Sequence, residues 1–81
     1  MLSRGFTHPL ARAARVWRAK NLDGSGWDVL VIVTTIVLDP NNDRYNETLV
    51  ERLSRAANGY LARTSEATAF VLVNRMRQWP R

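Results

Sequence analysis

The stretch Trp27-Asp28-Val29-Leu30-Val31-Ile32-Val33-Thr34-Thr35-Ile36-Val37-Leu38 decides how this chain folds. Eight of its twelve residues are β-branched, a class that fits a pleated strand better than a helix. Alternation puts Trp27, Val29, Val31, Val33 and Val37 on one side and Leu30, Ile32, Ile36 and Leu38 on the other. Both sides are apolar, so the strand requires cover on both. Extended throughout, it would run roughly 36–40 Å, which is long for so small a protein. It is too short and too interrupted, at Thr34 and Thr35, to cross a bilayer as a helix.

Before it, Asn21-Leu22-Asp23-Gly24-Ser25-Gly26 is a turn sequence that predicts a β-hairpin with Arg15–Leu22 as the first arm. Residues 9–20 also carry a helical stripe of Leu10, Ala13, Ala14 and Trp17, with Pro9 placed for a first turn. The expectation that reconciles the two is a short helix over Pro9–Ala14 followed by a strand. A continuous helix to Lys20 is the alternative, and residues 1–8 form a basic arm.

After it, Asp39-Pro40-Asn41-Asn42-Asp43 ends the strand, since Pro40 cannot continue a central ladder. A helix is expected from Asn42 or Asp43 to about Ala62, with its apolar stripe on Tyr45, Leu49, Val50, Leu53, Ala56, Ala57, Tyr60 and Leu61 and a Glu51–Arg55 pair outside. Gly59 either lets this helix approach the sheet or ends it early. Ala67 to about Met76 reads as the last strand, and residues 75–81 as a basic tail.

The fold class is α+β, with a single domain over residues 1–81. It has a small, mainly antiparallel sheet of about three strands (β-hairpin, helix, strand). One main helix lies on one face, and a short N-terminal helix or arm precedes the sheet. The core is expected on Val29, Val31, Val33, Leu49, Leu53, Ala56, Tyr60, Val71 and Val73, or on the other strand parity if the register is opposite. One helix covers one face, and the remaining apolar surface has to meet a partner. A second copy of the chain is the default.

Charge is unevenly placed. Net charge is +5 over 81 residues, with twelve basic residues of which eleven are Arg. Residues 1–20 and 52–81 are basic, and residues 21–51 are acidic. This layout suits head-to-tail association or an anionic partner. The acid-free segment Met1–Lys20 resembles a mitochondrial presequence in composition, although a cytoplasmic location or one within an assembly is preferred. There are no cysteines, which excludes disulfides and thiolate metal sites.

Catalysis has little support. His8 is the only histidine, and the carboxylate pairs Asp39/Asp43 and Glu47/Glu51 suit an acidic helix start. A small ribonuclease using Arg75 and Arg77 is the one enzymatic version retained. Asp39-x-Asn41-x-Asp43 opens like a calcium loop, but Arg44 stands where Gly is needed and Val50 where Glu is needed. No cofactor, metal or membrane is expected. The expected function is a non-enzymatic protein–protein interaction or assembly subunit, of the kind found as bacterial or bacteriophage virion components or inhibitors. Its partner is itself or a larger assembly. The contact residues are Trp17, Trp27, Arg75, Arg77 and Trp79, then Arg12, Arg15 and Arg18. The alternative partner is nucleic acid, held by the Arg clusters at both ends with Trp as a stacking surface.

Overall fold

The computed structural model describes residues 5–74. Its elements in chain order are β1 (Ala11–Lys20), β2 (Gly26–Thr34), α1 (Glu47–Thr64) and β3 (Ala69–Asn74). The architecture is α+β, with a three-stranded sheet in the order β1-β2-β3. β1 and β2 form the expected antiparallel hairpin, but β3 runs parallel to β2. The sheet is therefore mixed rather than mainly antiparallel. The connection through α1 is long enough to return the chain to the same end of the sheet, as a parallel neighbour requires.

No helix forms over Pro9–Ala14. The Ala11 amide closes a turn onto the His8 carbonyl at 3.0 Å, with Pro9 and Leu10 between, and β1 follows directly. Proline at the second position of such a turn supplies its φ. The burial of Ala14 and Val16 has a period of two, and pairing with β2 along the whole strand overrides the helical stripe. Nor is the described part of the N-terminal arm peripheral. Phe6 is buried and packs edge-on against Tyr60, with ring centroids 5.4 Å apart. Gly5 admits this approach, since a Cβ there would meet the Tyr60 hydroxyl at 2.6 Å.

β2 stops at Thr34, four residues before the expected end. The fully buried Thr34 hydroxyl donates to the Leu10 carbonyl and accepts from the Ile36 amide at 3.2 Å, which bends the chain out of the ladder. Two turns then follow, with Asn42 N–H on Asp39 C=O and Tyr45 N–H on Asn42 C=O. Side chains of Asp39 and Asn42 brace them by accepting from the amides of Asn41 and Arg44. These turns use up the residues expected to open the helix. Asn46 caps it instead, accepting from the amides of Thr48 and Leu49. α1 continues through Gly59 and ends at Ser65, whose left-handed backbone sends its N–H to Leu61 C=O. The expected Glu51–Arg55 pair forms at 3.1 Å.

The core takes the second strand parity. Ala14, Val16, Leu30, Ile32 and Thr34 are buried on one face, together with Leu53, Ala57 and Tyr60 of α1. Val29, Val31, Val33, Val71 and Val73 stand on the opposite face. The hairpin register explains this choice. Its five-residue loop pairs Lys20 with Gly26, and this sets Arg15 opposite Val31 and Trp17 opposite Val29. Covering the valine face with α1 would bury the Arg15 guanidinium without a partner.

Candidate functional site: the open face of the sheet

The described residues form two layers, a sheet and one helix. The face of the sheet away from α1 carries Ala13, Arg15, Trp17 and Ala19 from β1. It also carries Trp27, Val29, Val31 and Val33 from β2, and Ala69, Val71 and Val73 from β3. Trp17 is 60% exposed, Val71 43% and Trp27 39%. Trp17 and Val71 lie on the two edge strands and Trp27 at the start of β2, so these exposed side chains flank the half-buried valines of the face, and a patch of this kind marks a contact surface. Trp17 and Trp27 are diagonal neighbours across the ladder, close enough for one partner group to touch both.

A broad concavity of about 730 Å³ opens on this face, bordered by Arg12, Arg15, Trp17, Val31, Val33 and Val73. Arg12 reaches it through a β-bulge. The pairing slips between Ala11 and Ala13, so that Ala11 turns toward the core while Arg12 and Ala13 both serve the open side. Strict alternation would have sent Arg12 toward the helix. The open face thus combines an apolar valine floor, two tryptophans and two guanidinium groups along the β1 margin, and the strand residues on it include no carboxylate.

Four of the contact residues expected from sequence, Trp17, Trp27, Arg12 and Arg15, come together here. Arg18 does not join them. It belongs to the other parity and is paired with Asp28 at 3.1 Å in an exposed position. Arg75, Arg77 and Trp79 lie outside the described residues. The floor itself (Val31, Val33, Val73) differs from the sequence expectation, which places those valines in the core. Arg15 was the signal that could have corrected this, since a strand face bearing it in mid-strand resists burial.

Elsewhere, the side chain of Asp23 is held by the hairpin loop. Hydrogen bonds from the Ser25 hydroxyl and, next, the Ser25 amide lower its pKa below the ordinary 3.8. This stabilises a turn and places no titrating group on the open face. No helix among the described residues is long and apolar enough to cross a membrane. Comparison with known proteins finds no matching family model, no similar curated protein and no similar solved structure.

Proposed function

We propose that this chain is a non-enzymatic assembly subunit that associates with copies of itself through the sheet. One observation carries the reading: both faces of β2 are apolar, yet among the described residues only one is packed under a second layer. Leu30 and Ile32 are fully buried under α1, while Trp17, Trp27 and Val71 face outward. An uncovered face of this composition gains by meeting another apolar surface, and tryptophan and arginine are the residues that most often anchor such contacts. The direct test is Val31→Lys, which sets a charge in the middle of the open floor. Light scattering is expected to show a lower association state than wild type, with an unchanged helical signal by circular dichroism. An unchanged mass would rule out the face as the interface.

A second reading rests on the concavity, where Arg12 and Arg15 border Trp17. Cations beside an exposed indole suit single-stranded nucleic acid. Under this reading the double variant Arg12→Ala/Arg15→Ala weakens oligonucleotide binding, and wild-type binding falls steeply with salt. Under the assembly reading neither effect is seen.

A further inference from the structure

The two edges of the sheet are built differently. β1 is ten residues long, bulged, and carries Arg12, Arg15, Arg18 and Lys20. Length apart, these are the features by which an edge strand is kept from pairing with another chain. β3, Ala69-Phe70-Val71-Leu72-Val73-Asn74, has none of them: no charge, no proline, no glycine and no bulge. Among the described residues its backbone is paired only with β2. A short run of aromatic and branched residues without charge is the kind of segment that recruits another strand.

We infer that β3 pairs antiparallel with β3 of a second copy, giving a continuous six-stranded sheet in the order β1-β2-β3-β3-β2-β1. This deepens the assembly reading by naming the partner and a second contact that builds the particle. The choice of a second copy follows from charge and symmetry. Two β3 strands meet without any like-charge opposition, whereas two β1 strands would bring four cations against four. A β1–β3 contact would be heterologous, building a ring or an open filament, whereas β3–β3 is isologous and closes as a dimer.

The two-fold axis of such a pairing stands perpendicular to the sheet. It therefore leaves both α1 helices on one face and both open faces on the other. It also requires one β3 residue to sit opposite itself, and near the strand centre this is Phe70, Val71 or Leu72. The doubled open face then has the valines of β2 and β3 at its middle. Its Arg12/Arg15 margins lie outermost, on strands about 24 Å apart at the usual strand spacing.

The chain contains no cysteine, so single-cysteine variants report this geometry without interference. Phe70→Cys, Val71→Cys and Leu72→Cys would be oxidised mildly, with Ala13→Cys and Ala19→Cys on β1 as controls. Opposed residues in an antiparallel pair have Cα atoms about 4.5–5.5 Å apart, within disulfide reach. Stacked sheets lie about 10 Å apart, beyond it. The expected result is a covalent dimer at one of the three β3 positions and at neither control, and the crosslink persists when Val31→Lys is added to remove face-to-face docking. No β3 crosslink, or crosslinks only through β1, would overturn the proposal even if the wild-type chain still associates. Amide hydrogen exchange on the wild-type chain provides a check free of substitutions. β3 amides should be protected at high protein concentration and lose that protection on dilution, and concentration-independent exchange would contradict the pairing.

Discussion

The two faces of this sheet are nearly equal in apolar content and opposite in fate. On one, Leu30, Ile32 and Thr34 are completely shielded by α1 and by the segment around Phe6. On the other, alternate residues of the same strands present Val29, Val31 and Val33 beside a Trp17 that is 60% exposed. Hydrophobicity therefore did not select the covered face, since either would satisfy it. The hairpin register did, by placing Arg15 on one side and Ala14 and Val16 on the other. The face left over combines a valine floor with indole and guanidinium groups, a composition suited to contact rather than to solvent alone.

The contrast can be broken most forcefully at Ile32. Ile32→Ala leaves a cavity under α1 and is expected to cost about 2–5 kcal/mol in urea unfolding, against less than about 1 kcal/mol for Val31→Ala one residue away, both measured at a protein concentration where the chain is dissociated. Equal losses at the two positions would mean that the faces are not distinguished as described. Next in size is Thr34→Val, which keeps the shape of the one fully buried polar side chain among the described residues. It strands the Leu10 carbonyl and the Ile36 amide, with an expected cost of about 1–3 kcal/mol. A neutral result would show that the end of β2 is set by something other than this hydroxyl.

Gly59 sharpens the account of the covering helix. A Cβ there would meet nothing closer than the far end of Arg63, at 3.4 Å, so the glycine neither admits a close approach nor ends α1. Gly59→Ala is expected to stabilise the protein by about 0.5–1 kcal/mol, read from the unfolding midpoint. A loss would reveal a packing requirement at this site.

The smallest effect is at Asp23, in the loop that fixes the register and hence the choice of face. Its folded pKa is depressed, so its contribution is present above the unfolded value of 3.8 and disappears as pH falls through the lower folded value. Asp23→Asn should therefore lower the unfolding midpoint slightly at neutral pH. The difference from wild type should vanish in strong acid, as followed by urea titrations across that range.

Much of this arrangement is legible in the residues. The loop from Asn21 to Gly26 announces the hairpin, and the spacing of Leu53, Ala56 and Tyr60 announces the helix and the side it buries. Parity was not legible in β2 alone, because valine on one side and leucine and isoleucine on the other are equally fit for a core; only Arg15 on the neighbouring strand separates them, and only once the register is known. The bulge at Arg12 was hidden for a related reason: one extra residue reverses the alternation without changing composition. The start of α1 was misplaced because Asn42 and Asn46 are equally good caps in isolation. Only the turns braced by Asp39 and Asn42 separate them. Of the candidate site, the sequence singles out Trp17, Trp27, Arg12 and Arg15 one by one, but that they share a face was not legible, since it depends on the register.

The most direct test of self-association through the sheet is light scattering of the wild-type chain after size-exclusion chromatography at low and at high salt, with the 260/280 nm absorbance ratio recorded. The expected result is a particle of more than one chain, free of nucleic acid, whose mass does not change with salt, because apolar contacts are not screened. A monomer at both salt concentrations, or a monomer that carries nucleic acid at low salt and sheds it at high salt, would contradict it.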